Sequence, residues 1–422
     1  MNTSVCTHKI GGSIKAIASK SVAHRLLICA AFANKPTKIL CEETNLDIEA
    51  TVACLSALGA KIEREPPYYN VVPVRLDSII KGSVLPCNES GSTLRFLLPI
   101  VAALGANSAF AMQGRLPDRP LSPLREELLA HSVNISGKNP LRTDGTLDGA
   151  DFFIDGSVSS QFVSGLLFAL SLLDRECRLT VTGALESAPY VDITCDALAL
   201  FGAPVRKDLN VYTVCAKGIF TSPSTVEVEG DWSNAAFFLA LGALSGNVEV
   251  SGLNAESSQG DRAIIDILRA FGADITYRSL TGSYVAKASS LTGIDVNASQ
   301  IPDLVPIIAT VASVAKGTTR IYGASRLRLK ESDRLESVYS MLNALGANIS
   351  KTDDGLIING SERLRGGTVS SFGDHRIAMS AAVAASVCEE SVTVIGAEAV
   401  NKSYPSFWTD AQTLGLICKG DK

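Results

Sequence analysis

The chain has 422 residues, of which 46% are hydrophobic and 19% charged, and its formal net charge is −5. This length leads us to expect two or more domains, and the acidic balance excludes a general nucleic-acid-binding surface. No apolar run reaches the roughly 18 residues that a membrane span needs, and the first nine residues lack the apolar core of a signal peptide, so we expect a cytoplasmic protein without membrane partners.

Six times along the chain, at intervals of about 70 residues, a polar cluster directly precedes an apolar run of helical character, and an alternating segment follows. The alternation predicts a β-strand after each helix. In chain order the predicted helices cover 26–33, 94–104, 162–173, 235–244, 304–315 and 377–387, and the predicted strands 37–40, 108–112, 178–181, 247–250, 318–321 and 391–394. Self-similarity at a fixed period indicates an α/β fold built from six strand–helix repeats.

A second helix recurs at nearly the same period and ends in a Gly-Ala pair, as at Gly59, Gly202, Gly272 and Gly346. Glycine just after the last helical residue is typical of a helix C-terminus. Weaker copies of this helix lie at 124–133 and 407–417. Six units of mixed strand and helix therefore account for nearly the whole chain.

Basic side chains lie at or near the starts of several predicted helices, where the helix dipole disfavours a cation unless an anion is bound. They are Lys20, Arg25, Arg95, Arg119, Lys330, Arg334, Arg376 and Lys402. Several such helix N-termini directed into one space would form a strongly positive cavity in an acidic protein. The expected ligand is small and multiply anionic, carrying phosphate and carboxylate groups.

Three clusters stand out among these helix starts. Lys330-Glu331-Ser332-Asp333-Arg334 is the densest in charge, and the alternation of 326–329 places it at a predicted strand-to-helix junction. Ser90-Gly91-Ser92 is either a plain turn with a cap or a phosphate cradle, and it does not match the nucleotide-binding GxxxxGK[ST] pattern. Asp374-His375-Arg376 has no second histidine at metal-ligand spacing, and the ten cysteines form no CxxC pair, so we expect no metal site.

Taken together, these stretches resemble the 5-enolpyruvylshikimate-3-phosphate synthases, the shikimate-pathway branch of the enolpyruvyl transferase family. The matching stretches cover 19–25, 90–95, 118–120, 159–161, 189–192, 230–231, 303, 329–335, 374–376 and 402–405. The resemblance implies two similar domains of the inside-out α/β barrel type, each with three repeats, whose helix N-termini face an interdomain cleft. One domain would combine 1–18 with 230–422, and the other would cover 19–229.

The resemblance also implies a reaction. The 5-hydroxyl of shikimate-3-phosphate would attack the enol carbon of phosphoenolpyruvate while its methylene carbon takes a proton, and the tetrahedral intermediate would then lose phosphate. This transfer belongs to chorismate and aromatic amino acid biosynthesis. No metal or organic cofactor is implied, a monomer is expected, and glyphosate is expected to compete with phosphoenolpyruvate.

Residue roles follow from the same resemblance. The catalytic candidates are Lys20, Asp303 for the hydroxyl proton and Glu331 for the methylene proton. The shikimate-3-phosphate candidates are Ser159, Ser160, Ser187 and Lys330 at the phosphate, Ser21 and Arg25 at the carboxylate, and Gln161 and Tyr190 near the ring. The phosphoenolpyruvate candidates are Lys20, Arg119, Arg334, Arg376 and Lys402, with the Gly91 backbone close by.

Three positions depart from the family pattern. His24 stands where Asn is common, Glu89 where Asn often precedes the glycine turn, and Arg326 where Asn or His is usual. Two other interpretations stay open. The first is the sister enzyme that transfers enolpyruvyl to UDP-N-acetylglucosamine, which often carries a cysteine in the loop that here reads 113–119 without one. The second is a non-catalytic anion-binding protein on the same scaffold, against which Asp303 and Glu331 argue.

Overall fold

A computed structural model describes residues 1–215 and 218–420. The chain divides into two compact units, Ala18–Val228 and the combination of Met1–Ile17 with Glu229–Lys422. We call the first the inserted unit and the second the flanking unit, and each has its own hydrophobic core. Each crossing of the chain falls one residue earlier than the sequence prediction placed it.

Within the described residues the α-helices are labelled α1 to α12 in chain order. They are Lys20–Ala31, Leu46–Ala57, Gly91–Ala103, Leu124–Ala130, Ser160–Ser171, Ala188–Leu200, Trp232–Ser245, Ile264–Ala270, Val305–Ala312, Arg334–Ala344, His375–Ala384 and Phe407–Thr413.

The strands of the same residues are labelled β1 to β24. They are Asn2–Thr7, Ile10–Lys15, Thr37–Leu40, Lys61–Glu65, Tyr68–Val72, Val84–Asn88, Ala109–Met112, Val133–Ser136, Leu141–Gly145, Asp151–Asp155, Glu176–Thr182, Val205–Asp208, Val211–Cys215, Thr225–Glu227, Gly246–Ser251, Asp274–Arg278, Ser283–Lys287, Asp295–Asn297, Thr318–Tyr322, Asn348–Lys351, Leu356–Asn359, Gly367–Ser370, Val392–Ile395 and Leu416–Gly420.

The strands of the described chain form six four-stranded sheets with one shared topology. In each sheet an edge strand pairs in parallel with the next strand, which continues into two antiparallel neighbours; β10-β11-β13-β12 is one example. Each unit contains three of the sheets, and one sheet of each unit joins strands from the two ends of that unit. In the inserted unit β14 pairs in parallel with β3, and in the flanking unit β1 pairs with β23 and β24. The predicted α/β fold with six strand–helix repeats is confirmed.

The first helix of each repeat is buried nearly all round, as its apolar composition predicts. In the inserted unit, α3 and α5 pack so closely that a side chain at Gly165 would meet the carbonyl oxygen of Arg95 at 2.2 Å. Phe96 and Phe168 make an edge-to-face contact across the same pair, with ring centroids 5.7 Å apart. The corresponding helices of the flanking unit are α7, α9 and α11. Polar side chains lie in the N-terminal turns of α7 and α11, whereas α9 begins with apolar residues directly after the 3-10 turn that carries Asp303.

The second helices end as predicted in a glycine of left-handed conformation, with φ of +113° at Gly59 and +91° at Gly346. One local prediction is wrong. The segment Ser325–Leu329 is a 3-10 helix rather than an alternating strand. Its two leucines do not share a face, since Leu327 is fully buried while Leu329 is 46% exposed. The strand of this repeat is β19, which ends at Tyr322.

None of the helices in the described part of the chain combines the length and the apolar character that crossing a membrane requires.

Candidate active site

In the inserted unit, the start of α1 carries three of the predicted residues. Lys20 is the first helical residue, and its Nζ donates to Asp47 Oδ2 at 2.8 Å. Both side chains are largely buried, with 15% and 8% exposed. Ser21 follows, and its carbonyl accepts a hydrogen bond of 2.6 Å from Arg25 one turn later.

Arg25 is a buried cation held by neutral groups. Its Nε donates to Thr194 Oγ1 at 2.8 Å, its Nη2 donates to the carbonyl of Tyr190 at 2.7 Å, and its guanidinium lies 4.9 Å from the centre of the Phe96 ring. Among the described residues it forms no ion pair. Burial lowers its pKa to about 10, which leaves it charged at neutral pH. A buried guanidinium without a counter-ion favours the approach of an anion.

The N-termini of α3 and α5 lie side by side and are joined by Gln161. Its Nε2 donates to Ser92 Oγ at 2.9 Å, and its Oε1 accepts from Arg95 Nη1 at 2.7 Å. Ser159 caps α5 by accepting from the Gln161 amide at 3.3 Å, and Ser160 is buried as the first helical residue. The structure therefore brings Ser159, Ser160 and Gln161 next to the turn that contains Gly91.

Gly91 begins α3, and Arg119 lies directly against it. A Cβ atom placed on Gly91 would be 2.6 Å from Nη1 of Arg119. Arg119 follows the 3-10 turn Leu116–Asp118, which holds it in an extended conformation. The absence of a side chain at Gly91 thus makes room for a guanidinium beside the first amides of a helix.

Ser187 and Tyr190 begin the helix that supports Arg25. Ser187 is buried and precedes α6 in a left-handed conformation with φ of +54°. Such a conformation is unfavourable for serine and is often found at functional sites. The backbone carbonyl of Tyr190 accepts a hydrogen bond from the side chain of Arg25, so this contact between the two residues does not involve the tyrosine ring.

In the flanking unit, Asp303 lies at the centre of a charged cluster. It belongs to the 3-10 turn Pro302–Leu304 that leads into α9. Its carboxylate accepts from Arg334 Nη1 at 2.7 Å, from Arg376 Nη2 at 3.0 Å and from Lys330 Nζ at 3.4 Å. Burial by itself would raise the pKa of Asp303, but these three cations outweigh it and hold that pKa well below its usual range.

Arg334, the first residue of α10, is 1% exposed and is bound by three carboxylates. Besides Asp303 it donates to Glu331 Oε2 and to Asp374 Oδ2, each at 2.8 Å. Burial lowers the pKa of Arg334, but Asp374, Glu331 and Asp303 together hold it well above its usual value. The cluster is therefore a dense array of opposite charges, and within the described chain the side-chain hydrogen bonds of Arg334 all go to carboxylates.

Three further predicted cations belong to this unit, and two of them, Lys330 and Arg376, contact Asp303. Burial lowers the pKa of Lys330, against the attraction of Asp303. Arg376 is the second residue of α11, whose N-cap Asp374 accepts from the Arg376 amide at 3.0 Å. Lys402 is buried at the end of the 3-10 segment Ala397–Lys402, and the Oγ of the next residue, Ser403, accepts from Asn234 Nδ2 of α7 at 3.2 Å.

The comparisons with known proteins agree with one another. The sequence model of the family described as EPSP synthase (3-phosphoshikimate 1-carboxyvinyltransferase) matches residues 6–411. The chain is 43% identical over 414 residues to the 3-phosphoshikimate 1-carboxyvinyltransferase of Clostridium kluyveri, covering 96% of each chain. It is 41% identical over 410 residues to the enzyme of that name from Clostridium acetobutylicum, covering 96% of this chain and 95% of the relative.

The fold is similar to that of a solved EPSP synthase from Acinetobacter baumannii, with a TM-score of 0.83, 26% identity and full coverage of both chains. The chain belongs to the EPSP synthase family.

Within this EPSP synthase fold, sequence reasoning missed Asp261. It is 1% exposed, lies in the 3-10 turn Gly260–Ala263 and accepts a hydrogen bond from Ser233 near the start of α7. Burial and the nearby Asp303 raise its pKa to about 6, against the attraction of Arg376. Its partner Ser233 lies 28 residues earlier in the sequence, so no local pattern signals the contact.

Two of the three departures from the EPSP synthase pattern have a clear structural setting. Arg326 lies in the 3-10 helix and donates to the carbonyl of Ser299 at 3.2 Å, so it braces the loop before Asp303. Glu89 is exposed, and its carboxylate lies so close to Gly114 that a side chain there would collide with it. His24 is buried within α1 and takes part in a hydrogen-bond chain described below.

Proposed function

We propose that this protein is a 3-phosphoshikimate 1-carboxyvinyltransferase, which transfers the enolpyruvyl group of phosphoenolpyruvate to the 5-hydroxyl of shikimate-3-phosphate and releases phosphate. Family membership and the names of relatives at about 40% identity support this activity. The observation that carries the chemistry is the charged cluster of the flanking unit. Asp303 and Glu331 both bind Arg334, and Asp303 also binds Lys330 and Arg376. The cluster supplies carboxylates for proton transfer and cations for anionic substrates.

In this proposal the inserted unit supplies most of the groups for shikimate-3-phosphate. Among the described residues Arg25 has only neutral hydrogen-bond partners, so a carboxylate would be its first counter-ion. Ser159, Ser160 and Ser187 present hydroxyls at helix starts, where the helix dipole favours a phosphate. The family resemblance further assigns Lys330 to the phosphate, Ser21 to the carboxylate, and Gln161 and Tyr190 to the neighbourhood of the ring.

Phosphoenolpyruvate would be bound by Arg334, Arg376 and Lys402 together with Lys20, Arg119 and the Gly91 amide. Three of these cations bind carboxylates of the protein, since Arg334 and Arg376 contact Asp303 and Lys20 contacts Asp47. An incoming phosphate or carboxylate competes for the same N–H groups. Substrate binding would therefore weaken the hold of the cations on Asp303 and Glu331.

This competition gives a physical route to activation. Asp303 held by three cations is a weak base, and it becomes a stronger one when those cations turn to substrate. It then accepts the proton of the attacking 5-hydroxyl. Glu331, released from Arg334 in the same way, takes up a proton from solvent and delivers it to the methylene carbon, with Lys20 assisting. The intermediate then returns one methyl proton to Glu331 and expels phosphate, which takes the proton held by Asp303.

The test is phosphate release by the purified protein with shikimate-3-phosphate and phosphoenolpyruvate. We expect turnover that requires both substrates, and a vinyl ether product at the 5-oxygen. Release of phosphate with UDP-N-acetylglucosamine in place of shikimate-3-phosphate would instead indicate the sister activity. Binding of both substrates without any phosphate release would indicate an anion-binding protein.

A further inference from the structure

A continuous chain of buried hydroxyls links His24 of α1 to the turn that begins α3. His24 Nδ1 lies 2.7 Å from Thr51 Oγ1 of α2, and Thr51 Oγ1 lies 2.6 Å from Thr93 Oγ1. Thr93 Oγ1 in turn donates to Ser90 Oγ at 2.7 Å. All four side chains are at most 1% exposed. Three helices of the inserted unit are thus joined by one chain of hydrogen bonds.

The direction of this chain can be worked out from its last member. The Thr93 hydroxyl has one hydrogen, and it is donated to Ser90. Thr93 must therefore accept from Thr51, and Thr51, whose hydrogen is then used, must accept from His24. Burial lowers the pKa of His24 to about 3, so the ring is neutral at physiological pH. His24 is accordingly the Nδ1–H tautomer and acts as the first donor of the chain.

The other ring nitrogen does nothing to hold the ring in place. Nε2 of His24 is buried and has no hydrogen-bond partner within residues 1–215 and 218–420. In the Nδ1–H tautomer it is an acceptor with an unused lone pair. The bond to Thr51 is the one polar contact that orients this ring, and a buried imidazole with half of its capacity unused is unfavourable for stability.

The two ends of the chain lie beside groups assigned to substrate. His24 is one turn after Lys20, and the Lys20 partner Asp47 precedes Thr51 by one turn of α2. At the other end, Ser90 is the N-cap of α3, accepts the Thr93 amide at 3.4 Å and directly precedes Gly91. A change at His24 is therefore transmitted to the backbone next to Gly91 and Arg119.

We propose that His24 is a positioning residue that sets the Ser90–Gly91 turn relative to the Lys20 end of α1, acting through Thr51 and Thr93. The inference rests on the proposed function, because it assigns the turn to phosphoenolpyruvate. His24 touches neither substrate in this account. Its loss should weaken phosphoenolpyruvate binding and leave the proton-transferring groups of the flanking unit unchanged.

A pair of matched variants separates this role from simple packing. In His24→Asn the amide Nδ2 occupies the same place along the side chain as Nδ1, so a donor to Thr51 is retained although the ring is lost. In His24→Gln more of the volume is kept but the amide moves one carbon farther out. We expect the KM for phosphoenolpyruvate to stay within about twofold in His24→Asn and to rise about tenfold in His24→Gln, as for the loss of one buried hydrogen bond.

The same experiment is repeated one step along the chain. Thr51→Ser keeps the hydroxyl and Thr51→Val removes it, and we expect only the valine variant to raise the KM for phosphoenolpyruvate. Binding of shikimate-3-phosphate, measured by calorimetry, should be the same in all four variants. If Asn and Gln behave alike, or if both substrates are affected equally, the inference is wrong.

Amide hydrogen exchange of residues 85–97 provides a readout that does not depend on activity. We expect faster exchange of the Gly91–Thr93 amides in His24→Gln and Thr51→Val, and unchanged exchange in His24→Asn and Thr51→Ser. Equal exchange in all variants would contradict the positioning role even in an active enzyme. Failure of the unaltered protein to release phosphate would contradict the proposed function instead, and the exchange pattern would still decide the structural claim.

Discussion

The most deeply buried arginines of the two units, Arg334 and Arg25, are held in opposite ways. In the flanking unit, Arg334 binds three carboxylates and Asp303 binds three cations. In the inserted unit, Arg25 is equally buried but is held by a hydroxyl and two backbone carbonyls. In the first arrangement, a ligand that binds the cations would free the carboxylates for proton transfer. In the second, the guanidinium of Arg25 can bind the anionic group of a substrate. We infer that the flanking unit moves protons and that Arg25 of the inserted unit mainly binds substrate.

The largest effect is expected from Glu331→Gln, which keeps the shape of the side chain and removes its proton. General acid–base groups contribute roughly 100- to 10,000-fold, so turnover should fall by that factor while substrate binding stays nearly unchanged. Steady-state phosphate release would measure it. Glu362→Gln is the matched control, since Glu362 is an exposed glutamate of the same unit and lies outside the proposed site. Near-normal turnover of Glu331→Gln would remove this residue from the mechanism.

A second test compares the two buried arginines by stability. Arg334→Met removes the cation shared by three carboxylates, of which Asp374 is fully buried, and should cost about 3–5 kcal/mol of unfolding free energy. Arg25→Met leaves neutral acceptors unpaired and should cost about 1–3 kcal/mol. Thermal unfolding of both variants would show the order. Equal losses would mean that the contrast between the units has no energetic basis.

Asp261 adds a pH dependence to the flanking unit. Because its pKa is raised to about 6 by burial and Asp303, the folded protein binds more protons there than the unfolded chain between about pH 4 and 6. The contribution of Asp261 to the free energy of unfolding therefore falls as pH rises through this window. Asp261→Asn removes the ionisation, so its stability relative to the unaltered protein should rise by about 2–3 kcal/mol across the window. Denaturant unfolding at several pH values measures the difference, and a constant difference would contradict the assignment.

The smallest effect concerns Gly91. An alanine there would bring its Cβ to 2.6 Å from Arg119 Nη1, so the guanidinium must move. We expect Gly91→Ala to weaken glyphosate by about tenfold and phosphoenolpyruvate by less, because the inhibitor is the longer anion. Inhibition kinetics on both proteins would decide this, and equal losses would show that Gly91 serves only the turn.

The repeat architecture could be predicted from sequence because the same signals for helix ends and for strands recur along the chain. Glycines such as Gly59 and Gly346 closed the second helices, and alternating segments such as 37–40 became strands. The segment 326–329 was wrongly predicted to be a strand because two arginines alternate with two leucines there. Of the two leucines, only Leu327 is buried in the core. Period-two patterns of four residues are too short to separate a strand from a 3-10 turn.

The candidate site was predictable where a cation preceded a helix and unpredictable where the interaction was long-range. Asp261 accepts a hydrogen bond from Ser233, which lies 28 residues earlier in the sequence. His24 of α1 is linked to Thr93 of α3 through Thr51 of α2. Neither partnership has a local sequence signal. The left-handed conformation of Ser187 was likewise invisible, since serine disfavours it and the surrounding fold imposes it.

The claim that the flanking unit moves a proton to carbon can be tested by running the reaction in D2O. Protonation of the methylene carbon in D2O creates a CH2D group, and loss of one of its two protium atoms then leaves deuterium in the product. We predict that nuclear magnetic resonance will detect deuterium in the product methylene, at a rate lowered at least about 100-fold in Glu331→Gln and unchanged in Glu362→Gln. A product methylene free of deuterium, or incorporation by Glu331→Gln at the unaltered rate, would contradict the account.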